Sequence, residues 1–307
     1  VALFITVVMN VIFMFSHQLI ILLITSATIL ALFNAVTPLT DRIGVSSPYD
    51  FGKIRLWGSV GYAISAQLCG LVYDVIAPIS IFVIFLFGTI TFLICILRVN
   101  DPEVVETETK VEYSSKEAYK SLFKNKQYII FLLISFFFWG ACTANFTYIS
   151  VFIKSVGGTA SMVGTYQLFA TLFEVPAILA TDFVIKKFSY KHIMLFACAM
   201  SIVNFVWYAT LPNPNLIVAV FVFKGLSTIL FTMITVRLIM EIVEDKYVST
   251  AFGLQATVGR GIGAAVVQLI GGKLIDSFST MTPFYLFLSV LIVTALALSL
   301  TFKEKRA

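Results

Sequence analysis

Apolar runs of about 20 residues recur along almost the whole chain, separated by short polar turns. A run of that length crosses a hydrocarbon core of roughly 30 Å as an α-helix, which rises about 1.5 Å per residue. We predict about ten such spans, and we expect the second to end at Pro38. They cover residues 1–16, 19–37, 54–73, 78–97, 128–153, 160–185, 192–211, 215–240, 250–275 and 281–302. The pattern predicts an all-α integral membrane fold.

One long polar stretch interrupts this pattern at residues 100–126. It contains Ser114-Ser115-Lys116-Glu117, a capping-box sequence that predicts the start of a short amphipathic helix. We therefore divide the chain into an incomplete N-terminal bundle (1–99), a linker (100–126) and a C-terminal six-helix bundle (127–307). An internal repeat supports two related bundles, because residues 61–74 align with 263–276 and both copies end in aspartate.

The repeat and the turns also predict the complete length and the orientation. Four spans precede the repeated helix in the second bundle but only two in the first, so we expect about twelve helices in all, two of them before Val1. Lys and Arg concentrate in alternate turns, in the linker and in the C-terminal tail. The positive-inside rule predicts a multi-pass protein of the cell membrane whose linker and C-terminus are cytoplasmic.

The composition agrees with a membrane protein and excludes several other classes. Hydrophobic residues make up 59% and charged residues 12% of the 307 residues, whereas soluble domains carry about 25% charged residues. The net charge of +5 comes from these clustered basic turns, so it indicates topology and not nucleic-acid binding. The cysteines stand singly in apolar runs, at Cys69, Cys95, Cys142 and Cys198. We therefore predict no disulfide, no metal site and no cofactor.

Ionisable residues inside the predicted spans point to a functional interior. They are Arg55, Glu174, Lys224 and Arg260. If all of them faced lipid, their summed cost would be roughly 10 kcal/mol, so we expect them to face the interior of the bundle. Helical spacing places polar residues on the same faces: Ser59 and Tyr62 with Arg55, Gln167 and Thr171 with Glu174, and Thr228 and Thr235 with Lys224. The alternative is that these charges only pair with one another and set helix register.

Two segments carry a resemblance to a known family. The segment PLTDRIGVSSPYDFGKIRLWGSVGYA resembles the fourth-to-fifth helix region of the lactose-permease-like branch of the major facilitator superfamily, near its phenylpropionate, nucleoside and oligosaccharide transporters. The segment ATDFVIKKFSYKH resembles the superfamily's cytoplasmic loop motif. The resemblance implies the major facilitator fold, with two pseudo-repeated helix bundles.

The resemblance also implies roles for individual residues. The substrate-binding candidates are Asp41, Arg55, Tyr62, Asn145, Lys224 and Arg260. Glu174 matches an acidic residue that binds substrate and couples protons, and Asp182, Lys186 and Lys187 match the cytoplasmic gate motif.

Departures from the family pattern leave the coupling open. Ser227 and Leu230 stand where the pattern has a histidine and a glutamate, and Asn204 replaces an arginine. Phe146 and Thr143 align with the acids that would pair with Lys224 and Arg260. The cavity would then hold three cations and two acids, so an organic anion fits the site as well as a sugar does. We expect Arg55 and Arg260 to contact the substrate and Glu174 to titrate.

These features predict a secondary transporter that works by alternating access. We expect proton-coupled uptake of a small organic solute, such as a sugar or oligosaccharide, a nucleoside or an aromatic carboxylate. The expected partners are that solute, protons and membrane lipid, with no nucleic acid, and the protein is expected to be a monomer. An uncoupled facilitator and a nonfunctional truncated fragment stay open as alternatives. A membrane-embedded enzyme is disfavoured, because the sequence has no HExxH, GxSxG or paired His/Asp arrangement.

Overall fold

The computed structural model describes residues 1–45, 51–98 and 115–302. Within these ranges the regular structure consists of helices. Side chains are described except at positions 37–39, 41–42, 44–45, 51–56, 115, 175, 177–183, 185–186 and 221. The chain divides into two compact units, Val1–Thr109 and Lys110–Ala307. We describe each unit by itself.

The first unit contains α1 (Ala2–Phe15), α2 (Leu19–Val45), α3 (Phe51–Val75) and α4 (Ser80–Leu97). Helix α1 packs against α2 and α4. The amide Nδ2 of Asn10 donates a hydrogen bond of 3.2 Å to the carbonyl oxygen of Phe82. The rings of Phe13 and Phe82 lie 5.1 Å apart. A buried amide and an aromatic pair thus join α1 to α4.

The second predicted span agrees with the apolar segment Leu19–Val36, but its helix does not end at Pro38. Helix α2 continues through Pro38 to Val45. Proline is tolerated inside membrane helices, because neighbouring groups can satisfy the carbonyl that loses its N–H donor. The gap between the predicted spans 19–37 and 54–73 is shorter in the structure, because α2 extends to Val45 and α3 begins at Phe51.

Helix α3 carries two glycines, Gly58 and Gly61, on one face. A Cβ atom added to Gly58 or Gly61 would meet no atom within 4 Å. Neither glycine therefore marks a close helix crossing among the described residues. Spacing identifies a small-residue face, but only a neighbouring helix can turn that face into a contact.

The second unit begins with a short amphipathic helix and continues with long apolar ones. Its helices are α5 (Ser115–Lys124), α6 (Lys126–Ser155), α7 (Ala160–Lys187), α8 (Tyr190–Ala209), α9 (Pro214–Ala219), α10 (Phe221–Ile242), α11 (Val248–Ala256), α12 (Ala264–Ser277) and α13 (Thr282–Thr301). A 3₁₀ turn, Asp245–Tyr247, precedes α11, and a π-helical segment, Thr257–Gly263, joins α11 to α12. The short helix predicted in the linker is α5, whereas the capping residue Ser114 lies outside the described residues.

Asn125 defines the start of the first long helix in this unit. Its side-chain oxygen accepts hydrogen bonds from the backbone N–H groups of Gln127 and Tyr128, which caps α6. Its Nδ2 atom donates to the carbonyl oxygen of Ile242, 2.6 Å away, at the end of α10. One side chain therefore begins α6 and connects it to another helix.

Two predicted spans are interrupted in the structure. The span at 215–240 is divided at Val220 into α9 and α10, and the span at 250–275 contains the π-helical segment. That segment packs closely on α6, since a Cβ on Gly263 would lie 2.8 Å from the carbonyl oxygen of Phe136. Glycines in the segment permit this backbone approach.

The core of the second unit is aromatic and lies among α6, α8, α10 and α13. The rings of Phe138 and Phe231 stack with centroids 3.9 Å apart. The rings of Phe152 and Tyr285 lie 4.6 Å apart, and those of Tyr208 and Tyr285 lie 5.2 Å apart. Such pairs hold the helices in one arrangement.

Seven helical segments in the described residues are long and apolar enough to cross a membrane. They are Leu19–Val36, Ser80–Leu97, Lys126–Ser155, Tyr190–Ala209, Pro214–Ile242, Asp245–Ser277 and Thr282–Thr301. The shorter apolar helix Ala2–Phe15 and the longer helices α3 and α7 occupy the remaining predicted spans. The all-α membrane fold is confirmed.

Candidate functional site

Three ionisable side chains lie at helix-interior positions of the second unit. Glu174 belongs to α7, Lys224 to α10 and Arg260 to the π-helical segment. The side chains of Glu174 and Lys224 are partly buried, and that of Arg260 is exposed. We define these residues as the charged site.

Glu174 and Lys224 face each other across neighbouring helices. The two side chains interact electrostatically, but neither forms an ion pair within 4.0 Å in the described part of the chain. Gly225 allows the helices to approach here, since a Cβ at this position would lie 3.0 Å from the carbonyl oxygen of Ala170. The carboxylate and the ammonium group are therefore close without a direct bond.

Aromatic rings surround the lysine. The Nζ atom of Lys224 lies 5.7 Å from the ring centroid of Phe146 and 6.0 Å from that of Tyr166. Both distances are within the range of a cation–π interaction. The resemblance implies an acid at the position of Phe146, whereas in this structure an aromatic ring lies beside Lys224 there.

Arg260 also contacts an aromatic ring. Its Cζ atom lies 3.9 Å from the ring centroid of Trp139 on α6. Cys142, one helical turn further along α6, lies near both Arg260 and Lys224. Trp139, Cys142 and Phe146 share one face of α6, and both cations lie along that face. A π-helical turn is frequent at functional sites because it changes the direction of the side chains that follow.

Asn145 lies in an enclosed polar cluster beside this face. It is 1% exposed, and it adjoins Tyr166, which in turn adjoins Tyr208. Asn204 and Tyr285 extend the cluster. No side-chain hydroxyl of these tyrosines, and neither side-chain carbonyl oxygen of these asparagines, makes a hydrogen bond to the described residues. Helices enclose Asn145 in this conformation, and its role in substrate binding stays a prediction.

Two residues near Lys224 have structural partners. Ser227 is fully buried, donates a hydrogen bond of 3.0 Å to the carbonyl oxygen of Ala197, and bonds the hydroxyl of Ser201. Thr228 donates to the carbonyl oxygen of Lys224, 2.9 Å away in its own helix. The position that holds a histidine in the family pattern thus joins α10 to α8.

The remaining predicted site residues belong to the first unit and to the gate motif. In the first unit, Tyr62 is 46% exposed, and the side chains of Asp41 and Arg55 lie outside the described residues. In the gate motif, the side chains of Asp182 and Lys186 also lie outside them. Lys187 is exposed at the end of α7, with its Nζ atom 5.8 Å from the ring of Phe188.

The charged site carries an excess of positive charge. In the described part of the second unit it holds two cations and one carboxylate. A cation–π contact contributes about 0.5–2 kcal/mol, whereas a charge at bilayer depth costs roughly 2.5–3.5 kcal/mol. The aromatic contacts therefore offset only part of the cost, and an anion would complete the compensation.

Sequence reasoning missed the aromatic half of this site. The sequence pattern indicates no role for Trp139 or Tyr166, and it shows Phe146 only as a position where an acid is missing. The available signal was the spacing of positions 139, 142 and 146 on one face of α6. Aromatic residues are abundant in membrane helices, so that spacing alone does not separate a site from a core.

A family model and several known proteins match this chain, and the relatives are named as transporters or permeases. The family model described as the MFS_1 like family matches residues 1–286. The uncharacterized transporter YwbF of Bacillus subtilis is 26% identical over 269 residues, which cover 86% of this chain and 66% of that protein. The maltose permease of Geobacillus stearothermophilus is 28% identical over 281 residues, which cover 90% of this chain and 70% of that protein. The chain thus spans about two thirds of the length of these relatives.

A solved structure shows the same fold. A mutant of the nucleoside transporter NupG superposes with a TM-score of 0.81 at 16% identity, covering 99% of this chain and 82% of that protein. This similarity shows the fold alone, because 16% identity is too low to indicate that the two proteins transport the same solute.

Proposed function

This chain belongs to the MFS_1 like family of the major facilitator superfamily, and from that premise we propose that the protein is a secondary transporter coupling solute uptake to proton entry. The solute is small and organic, and a sugar or oligosaccharide, a nucleoside and an aromatic carboxylate all remain in range. The relatives carry the names of transporters and permeases and not of enzymes. Transport proceeds by alternating access, in which the site opens to one side of the membrane at a time.

The juxtaposition of Glu174 and Lys224 carries this proposal. A carboxylate and an ammonium group on neighbouring membrane helices interact without a direct ion pair. Such a carboxylate can accept a proton and release it while staying in place. Lys224 is the charged group that interacts with Glu174 among the described residues. A change in the protonation of Glu174 therefore changes the charge that a bound solute meets.

The proposal assigns different tasks to the site residues. Glu174 carries the coupled proton, and Lys224 responds to its charge. Arg260 binds the solute, with Arg55, Asp41, Tyr62 and Asn145 retained as predicted contacts. Asp182, Lys186 and Lys187 form the proposed cytoplasmic gate. The protein acts as a monomer in the cell membrane, with its linker and C-terminus in the cytoplasm.

Substitution of Glu174 tests the coupling. Uptake of radiolabelled solutes is measured in membrane vesicles at several external pH values, with and without an imposed proton gradient. We expect uptake by the original protein to rise as the external pH falls, because protons then enter with the solute. In Glu174→Gln we expect exchange of solute across the membrane to persist while accumulation and its pH dependence are lost.

Glu244→Gln is the matched control for this experiment. Glu244 lies near the end of α10 and forms an exposed ion pair of 3.0 Å with Lys246, so this substitution removes a carboxylate outside the charged site. We expect it to leave the pH dependence unchanged. Full pH dependence in Glu174→Gln contradicts the assigned coupler, and downhill transport without accumulation in the original protein favours an uncoupled facilitator.

A further inference from the structure

The two cations of the charged site are compensated unequally. Lys224 interacts with the carboxylate of Glu174, whereas no acid among the described residues interacts with Arg260. The Arg260 guanidinium lies over the ring of Trp139, with its Cζ atom 3.9 Å from the ring centroid. The uncompensated positive charge of the site is therefore located at Arg260.

The aromatic contact leaves the donors of Arg260 available. A guanidinium group carries five N–H donors in its plane, and stacking occupies the face of that plane and not its edge. The side chain of Arg260 is exposed, so an incoming group can reach that edge. A carboxylate has the geometry to accept two parallel hydrogen bonds from it. Trp139 thus positions a fork that matches a carboxylate.

The two cations of the charged site contact α6 at different heights along its axis. Arg260 contacts Trp139, and Lys224 contacts Phe146, two turns further along the helix. Two turns correspond to about 10 Å along the axis. Cys142, which is buried, lies between the two aromatic residues on the same face of α6. A solute could bind Arg260 at one end and reach the Glu174–Lys224 pair with the other.

We propose that the transported solute carries a carboxylate and that Arg260, positioned by Trp139, binds it. This inference rests on the proposed transport function and selects the anionic class from the solutes that the function leaves open. A neutral sugar or nucleoside would leave Arg260 without a negative partner among the residues that the structure describes.

Binding to the purified protein tests this inference separately from transport. Thermal unfolding is followed while solutes are titrated in matched acid and neutral pairs: 3-phenylpropanoate against 3-phenylpropanol, and glucuronate against glucose. We expect at least one acid to stabilise the protein at concentrations where its neutral partner does not. In Arg260→Gln we expect the half-saturating concentration of that acid to rise by about 10- to 100-fold.

Two further variants separate the binding role from a general loss of structure. Arg260→Lys keeps the charge but not the fork, and we expect weakening of about 10-fold. Lys246→Gln removes a cation that is paired with Glu244 outside the charged site, and we expect it to bind the acid as the original protein does. Trp139→Leu should weaken acid binding while leaving the preference for acid over neutral solute.

The outcomes decide the two proposals independently. The carboxylate inference is overturned if no acid stabilises the protein, if each neutral partner binds as well as its acid, or if Arg260→Gln binds the acid unchanged. Acid binding that is lost in Arg260→Gln, without proton-dependent uptake of that acid in vesicles, contradicts the transport proposal and leaves the binding site standing. Uptake of neutral solutes alone would contradict the carboxylate inference and leave the transport proposal standing.

Discussion

In the second unit, single polar side chains join two helices by a hydrogen bond from one helix to a backbone carbonyl or hydroxyl group of the other. Ser227 bonds Ser201 and the carbonyl oxygen of Ala197. Ser289, also buried, donates only to the carbonyl oxygen of Tyr285 within its own helix, 2.8 Å away. A hydroxyl that bonds its own helix adds little to a carbonyl that already has a donor, whereas a bond between helices is lost entirely on truncation.

We predict that Ser227→Ala lowers the free energy of unfolding by about 1 kcal/mol, because it removes the link between α10 and α8 and leaves Ser201 without that partner. Ser289→Ala makes the same chemical change at a buried position and should cost less than about 0.5 kcal/mol. Thermal or denaturant unfolding in detergent micelles measures both. Equal losses in the two variants would show that the bond between helices contributes nothing special.

The two cations of the charged site contact aromatic rings. The positions of Lys224 and Arg260 were predictable, because a charge in an apolar run is conspicuous. Their contacts with Phe146 and Trp139 were not predictable, because these contacts join residues that are far apart in sequence. Contacts of this kind depend on which helices become neighbours.

At the scale of elements, helix α6 is the centre of the second unit. It packs against the π-helical segment, α12 and α13. A Cβ on Gly140 would lie 3.0 Å from the carbonyl oxygen of Gly263, and one on Gly263 would lie 2.8 Å from that of Phe136. The two helices approach at a glycine-lined crossing, beside the segment that carries Arg260.

We predict that Gly263→Ala lowers the free energy of unfolding by about 1–3 kcal/mol, because the new methyl group meets backbone atoms that can move only with their helix. Gly253→Ala, in α11, is the control, because a Cβ there meets nothing within 4 Å. This control should be neutral or slightly stabilising, since alanine favours helix over glycine. Unfolding in detergent measures both, and a Gly263→Ala protein as stable as the control would contradict the close crossing.

The boundaries of the helices were less predictable than the all-α class of the fold. Pro38 suggested an end that α2 does not have, whereas Val220 interrupts a helix at a position with no proline or glycine. The π-helical segment at Thr257–Gly263 left no mark in the apolar pattern. Backbone hydrogen bonds in a membrane depend on what the neighbouring helices supply, and a one-dimensional pattern does not contain that information.

At the scale of the whole molecule, the alternation of basic and neutral turns predicts which side of the membrane each turn faces. Lys246 lies in a turn that follows α10, and Asn213 lies in a turn without Lys or Arg that precedes α9. The segment Pro214–Ile242 between these turns is long and apolar enough to cross a membrane once. The two turns should therefore face opposite sides, with the basic turn inside.

We predict that a membrane-impermeant maleimide labels Asn213→Cys from outside intact cells and labels Asp245→Cys only in inverted vesicles. Both positions are exposed. The original protein, with its four cysteines in helices, gives the background. Labelling of both variants from the same side would contradict the single crossing, and the reversed pattern would contradict the proposed cytoplasmic location of the linker and C-terminus.

The sequence by itself determined the class of this protein and the residues that require an explanation. Segment length and apolarity are properties of consecutive residues, and so is the presence of Glu174, Lys224 and Arg260 inside apolar segments. The resemblance to the major facilitator superfamily, read from consecutive residues, was also confirmed.

Only the tertiary structure decided how those charges are accommodated. It placed Glu174 beside Lys224, set Arg260 on Trp139, and used Ser227 for packing. The physical reason is that the energy of a charge in a membrane depends on its neighbours in space. Those neighbours come from different helices, whose arrangement is settled by close packing of the whole unit.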